Sequence, residues 1–215
     1  MRTTDILARE HELVRLLLRC LGALSAEARI VGSLDRSAAT SALALLETFV
    51  DWAHQDKEEL HLFPHMLAHA TPAEAEHLAC VFADHAAERR RLVGMYANMQ
   101  GACQGRECDV ERFVSHALAY VRLQHRHVDE EERYVLPLAG SMLTREDDER
   151  IVGGFAKIDA RAGGVDDLAE RVEALCRRCG VGVPDGEPSY VLRPAPPPER
   201  RVPGVQGGPA VGNAR

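Results

Sequence analysis

At 215 residues, 46% of them hydrophobic, the chain is long enough to bury one full core. Its formal net charge of −7, with no basic stripe to offset it, argues against a nucleic-acid or anionic-membrane partner. No apolar run reaches membrane-spanning length, and Met1-Arg2-Thr3-Thr4-Asp5 leads into a charged amphipathic pattern instead of a signal-peptide core, so a soluble cytoplasmic protein is expected.

Helical periodicity recurs along the chain and alternating strand patterns are nearly absent, which predicts an all-α fold. A first helix is expected from an N-cap near Thr4 to about Leu24, with Leu7, His11, Val14, Leu18 and Leu21 on one stripe. After a link around Gly32 to Arg36, a second should run from Ser37 to His69, its stripe carrying Leu43, Leu46, Val50, His54, Glu58 and His61. Pro64 lacks the N–H of the preceding turn and is expected to kink or end it. Thr71-Pro72 signals a third helix reaching Gln100, with Leu78, Val81, His85, Leu92, Met95 and Met99 on one face. A fourth, about 109 to 137, shows the most regular run: Val110, Phe113, Ala117, Tyr120, Gln124, His127, Glu131 and Tyr134.

Two further helices, from about Thr144 to Lys157 and from Val165 to Cys179, are expected to cover the bundle. From Val183 onward the proline clusters and Gly207-Gly208 read as a disordered tail. The expected organisation is therefore a four-helix bundle over 1–140, a helical extension over 141–182 and a tail over 183–215.

Six cysteines without a secretion signal read as reduced thiols. Cys20 and Cys80 are expected to pack within apolar helical stretches, while Cys103 and Cys108 lie in a glycine-containing connector. Cys176-Arg-Arg-Cys179 is a CxxC lacking both a second CxxC and the strand context of a thioredoxin site, and reads as two helix-end thiols before it reads as a redox or metal motif.

The chemistry lies in a pattern written twice: His54-x-x-x-Glu58-Glu59-x-x-x-x-Pro64 and His127-x-x-x-Glu131-Glu132-x-x-x-x-Pro137, each preceded by a solitary histidine, His11 and His85. On an α-helix, residues four apart share a face, so each His/Glu pair aims its donors at one point. The separations His11 to His54 and His85 to His127 are nearly equal, which makes the segment an internal repeat of two helical hairpins. Burying six such polar groups costs several kcal/mol per group unless something compensates, and a metal ion does. Imidazole nitrogens and carboxylates that can span two cations suit iron or manganese better than zinc. Four protein donors per ion leave octahedral positions open for an oxo or hydroxo bridge and for a small molecule.

These residues resemble the hemerythrin-like (HHE cation-binding) proteins, whose H…HxxxE…H…HxxxE pattern is matched by His11, His54, Glu58, His85, His127 and Glu131 over about residues 4 to 140. The resemblance implies an up-down-up-down four-helix bundle around a non-haem pair of iron ions. In it His11 and His54 would serve one ion, His85 and His127 the other, and Glu58 and Glu131 would bridge. Oxygen-carrying hemerythrins have a second histidine one turn from the first on the third helix and an aspartate five residues beyond the last. Here the corresponding positions flanking His85 are Val81 and Arg89, and the carboxylate is Glu131. The pattern is that of the bacterial-type branch, which implies O2, NO or peroxide as ligand in sensing, detoxification or iron handling. NO or peroxide reduction with an electron donor, iron–sulfur-centre repair and an iron- or oxygen-responsive regulatory module stand as alternatives. His61 and Tyr134, each three residues beyond a glutamate, are candidate donors that would orient that glutamate or a bound ligand. Glu10, Glu59 and Glu132 sit about 100° of helix turn from their neighbouring ligands and are expected in solvent or in salt bridges, as is Glu88.

Overall fold

A computed structural model of the chain describes residues 2–183; the tail expected beyond them lies outside the described residues. The described residues form four long helical rods followed by two shorter helices, with no strand among them. The first rod is α1 (Thr3–Val31). The second runs unbroken from α2 (Arg36–Leu45) through π-helical stretches Leu46–Gln55 and Glu58–Leu62 into α3 (Phe63–His69). The third is α4 (Pro72–Cys103), and the fourth joins α5 (Glu107–Glu130) to α6 (Leu136–Met142) through a π turn at Glu131–Val135. Helices α7 (Arg145–Ala162) and α8 (Val165–Arg178) follow.

Local chemistry explains most boundaries. Thr71 caps α4 by accepting from the Glu74 N–H while Glu74 accepts from the Thr71 N–H, and Thr144 and Asp147 repeat this reciprocal cap on α7. Helix α1 starts one residue before the expected cap. Asp5 accepts from the Arg2 N–H at 3.1 Å, and Asp148 of α7 accepts from the Thr3 N–H at 2.7 Å, so the extension itself secures this end. The helix also outruns its expected end at Leu24, continuing until Gly32 adopts a left-handed conformation at φ 78°.

Of the two outcomes expected at Pro64, an end to the second rod does not occur: the rod reaches His69 as expected. The Phe63 N–H reaches five residues back to the Glu58 carbonyl, and this widened turn carries the chain past the proline that has no N–H to give. The fourth rod repeats the device, the Leu136 N–H reaching the Glu131 carbonyl one residue before Pro137. Each HxxxE motif thus ends on the first residue of a π turn.

The apolar core is divided in two. The larger cluster includes Leu17, Leu21, Leu43, Phe49, Met95, Phe113 and Tyr120, together with Leu168 and Val172 of α8. The smaller one gathers Leu7, Leu62, Phe63, Met66, Val81, Val135 and Leu136 with Ile151 and Phe155 of α7. Every rod crosses between them at one level, and the residues at the crossings are polar: His11 between Leu7 and Val14, Glu58 between Ala53 and Leu62, His85 between Val81 and Leu92, Glu131 between Val128 and Val135.

Candidate metal centre

That polar layer is the meeting point of all six sequence-predicted donors. His11, His54, His85, His127, Glu58 and Glu131 are each at most 1% exposed. Their donor atoms form two overlapping groups, His11, His54, Glu58 and Glu131 in one and Glu58, His85, His127 and Glu131 in the other, with the atoms of each group within 4.8 Å of one another. The two glutamates belong to both because each divides its oxygens between them. Glu58 sets Oε1 3.6 Å from His54 Nε2 and Oε2 3.4 Å from His85 Nε2. Glu131 sets Oε2 3.2 Å from His11 Nε2 and Oε1 3.2 Å from His127 Nε2. Within each histidine pair the rings meet edge to face, at 73° for His11 and His54 and 69° for His85 and His127.

Whether these residues fit a cation can be read from the protons. Three of the four imidazoles engage a carboxylate through the outward Nδ1: His11 with Glu132 at 3.1 Å, His54 with Glu10 at 2.9 Å and His85 with Glu59 at 2.8 Å. A carboxylate accepts the Nδ1 proton and leaves Nε2 with a lone pair directed into the layer. Inside it, Nε2 of His11 and His54, Oε2 of Glu58 and both oxygens of Glu131 are buried without a hydrogen-bond partner. Buried polar atoms of this kind are rare and costly unless something is bound to them. The donor set fits cations.

The supporting carboxylates are in turn held by cations from the protein. Arg15 donates to both oxygens of Glu132 at 2.7 and 2.8 Å, and Arg89 donates to Glu59 at 2.8 Å and Asp51 at 2.5 Å. Behind Glu10 stands Lys57, fully buried, which pairs with Glu10 and, at 2.5 Å, with Asp159 of α7. A buried ammonium is tolerated because two carboxylates compensate it. Glu10 accordingly stays ionised: burial opposes this, and Lys57 and His54 outweigh burial.

Without metal, protons occupy part of the layer. Burial opposes an imidazolium at His11, but the carboxylates of Glu131 and Glu132 facing its two ring nitrogens outweigh it and raise the group to about 9. His127 also rises to about 9, through Glu131 and Glu88 against burial. Burial and the neighbouring Glu131 push Glu58 well above the usual carboxylate range. Glu131 goes the other way, held ionised against burial by His127 and His11. Metal ions entering the layer must displace these protons.

Some expectations hold here and others need correction. Glu10, Glu59 and Glu132 form salt bridges, one of the two outcomes expected, Glu10 buried and the other two partly exposed. Rotation by about 100° from the neighbouring ligand aims each at the back of a histidine on an adjacent helix. Of the two residues proposed to orient a glutamate, His61 packs its ring against Phe155 and against Gly154, where a Cβ would come within 2.6 Å of the ring, and Tyr134 lies against His77, ring centroids 4.0 Å apart and tilted by 47°. Glu88 is 1% exposed, accepting from Gln55 at 2.5 Å and, with the Gln124 amide turned to present its nitrogen, from Gln124 at 2.6 and 2.9 Å. Burial raises it to about 7 in spite of His127 and His85. Cys80, expected to pack, is exposed, whereas Cys20 is buried as expected. The signal that could have identified the supporting groups is an acid directly adjacent to a ligand in sequence, as at Glu10-His11, Glu58-Glu59 and Glu131-Glu132.

Comparison with known proteins agrees with the geometry. The family model of the hemerythrin HHE cation binding domain matches residues 2–139, well over half of the chain, and the protein belongs to that family. With its paired His/Glu clusters it is a metal-binding hemerythrin-like protein. No curated protein and no solved structure gives a significant match. Among the described residues no helix is long and apolar enough to cross a membrane.

Proposed function

We propose that the chain is a non-haem di-iron protein that binds or reacts with O2, NO or peroxide in sensing, detoxification or iron handling. One observation carries the reading: Glu58 and Glu131 each offer one oxygen to the His11/His54 pair and the other to the His85/His127 pair. Two carboxylates that divide their oxygens in this way suit two neighbouring cations. Nitrogen and oxygen donors without a thiolate favour iron or manganese over structural zinc. Iron bound there supplies redox chemistry towards a small diatomic or peroxide ligand.

The protein's own groups do the rest. Glu132, Glu10 and Glu59 hold His11, His54 and His85 in one tautomer and one ring orientation. The apolar clusters on both sides exclude water from the layer and strengthen its electrostatics. Glu88, beside His85 and His127 in charge terms and raised to about 7, can hold or release a proton near neutrality at the edge of the layer.

The test is metal analysis of the purified protein, followed by optical spectra of the anaerobically reduced form exposed separately to O2, NO and peroxide. Two irons per chain and a persistent adduct support ligand binding; repeated turnover with an added electron donor points to reduction. Zinc in place of iron, with no spectral response to any of the three, overturns the proposal.

A further inference from the structure

The CxxC segment plays no part in the metal layer, yet the fold brings a third sulfur to it. Cys20 lies on α1 and Cys176 in the last turn of α8, separated by most of the chain, and their Sγ atoms are 3.4 Å apart. Both are fully buried. Cys179, at the C-cap of α8, is partly exposed and packs against the same apolar cluster that holds Cys20 and Cys176. Cys20 therefore touches one cysteine of the motif directly, and the other closes the same end of α8 beside it. Helix α8 lies outside the residues matched to the HHE family, so the cluster joins the extension to the helix that carries His11.

We propose that Cys20, Cys176 and Cys179 form a thiol site that a hydroperoxide oxidises to a disulfide anchored on Cys20, tying α8 to α1. Three thiols gathered at one helix end differ from a single exposed one: a sulfenic acid formed on the first can be resolved by the second. Cys179 is the sulfur solvent reaches. Its attack on one peroxide oxygen breaks the O–O bond, and the departing hydroxide leaves as water with the thiol proton, giving a sulfenic acid. The Cys20 sulfur then attacks that sulfur, the S–O bond breaks, and a second water leaves as the S–S bond forms. Two thiols are oxidised and one peroxide is reduced to two waters. Cys176 is placed to take over the link by exchange. Its ionised form is favoured by the hydrogen bond from Cys20 and, against burial, by Arg19 and Arg177. Cys80 and Cys108 are exposed as well, and serve as internal controls for unselective oxidation.

The sequence makes the test sharp, because trypsin cuts after Arg19, Arg177 and Arg178 and leaves the three cysteines on separate peptides. The full-length protein is reduced, desalted, treated with stoichiometric hydrogen peroxide, alkylated and digested without reductant. The expected product is the Cys20 peptide joined to the Cys176 or the Cys179 peptide, lighter by two hydrogens than the sum of the two, with an upward shift in Tm that a dithiol reverses. Cys20→Ser should lose the linked peptide altogether. Should that buried substitution prevent folding, Cys179→Ser at the partly exposed position should slow formation of the Cys20 link while the protein stays folded. The proposal is overturned if Cys20 remains fully alkylatable while Cys80 and Cys108 oxidise. It is equally overturned if the only link formed joins Cys176 to Cys179.

Discussion

The two hairpins deliver matching donors to the polar layer, a histidine from the first helix and a His/Glu pair from the second, and they differ in what stands behind those donors. One support is repeated: Arg15 and Glu132 hold His11 as Arg89 and Glu59 hold His85, each arginine four residues past its histidine. The other is not. Glu10 precedes His11 and supports His54; the residue preceding His85 is Asp84, one methylene shorter, and it pairs with Arg126 at 2.9 Å instead of reaching His127. His127 Nδ1 is left without a partner. Where the first hairpin has Val14, three residues past its histidine, the second has the buried carboxylate of Glu88. A repeat can thus keep its ligands while its outer scaffolding diverges, giving a braced position at His11/His54 and a looser one, with a titratable neighbour, at His85/His127.

The most drastic way to break the comparison is to remove what the halves share. Glu131→Ala or Glu58→Ala takes one oxygen from each position, so both ions should be lost together and thermal stability should fall; metal analysis showing two ions retained with unchanged spectra would end the bridging assignment. Next comes the brace itself. Lys57→Met strands Glu10 as a buried carboxylate and leaves the partly exposed Asp159 unpaired, and should cost about 3–5 kcal/mol in denaturant unfolding, whereas Arg126→Met, at an exposed pair on the other side, should cost less than about 1 kcal/mol.

Glu88→Gln probes the looser half through pH. In metal-free protein the Glu88 carboxyl is raised from 4.5 to about 7, so ionising it disfavours the fold. Relative to wild type, the glutamine variant should show no gain below the unfolded value. Its advantage should grow as pH rises between the two values and level off above about 7, at no more than about 3 kcal/mol given about 1.4 kcal/mol per unit. Urea unfolding across pH 4 to 8, a window set by those two values, checks this. A flat difference would show that Glu88 titrates alike in the folded and unfolded chain.

Smaller effects sharpen the contrast. Glu10→Gln removes the charge behind His54 and should weaken metal binding at the braced position by about 10- to 100-fold, leaving the other closer to wild type in competitive chelator titrations. Conversely, Asp84→Glu combined with Arg126→Ala gives the second hairpin a longer, uncaptured carboxylate and should tighten binding there by up to about tenfold.

The inward half of this arrangement was legible because it is local. His54/Glu58 and His127/Glu131 share a helical face by spacing, and all six donors fall on apolar stripes. The outer half was not, because Glu10, Glu59 and Glu132 serve histidines on neighbouring helices, and helical periodicity says nothing about which back meets which side. The directions of His61 and Tyr134 are hard to read for a related reason: the widened turns at Glu58–Leu62 and Glu131–Val135 alter the angular step at just those positions. The same turns explain why Pro64 does not terminate its rod. The four rods, the two later helices and their order could be read from caps and stripes, and the meeting of Cys20 with Cys176 could not, since it depends on where the extension docks.

Those widened turns also bear on how the chain tolerates changes of length. A π turn is an α-helix that has taken in one extra residue and absorbed it without re-aiming what lies on either side. Deleting a residue within Glu58–Leu62 should let the backbone close to ordinary α geometry with Phe63 and Met66 still facing the smaller apolar cluster. The same deletion a few positions away, in α3, would swing everything beyond it by about 100° and bring polar residues round into contact with that cluster.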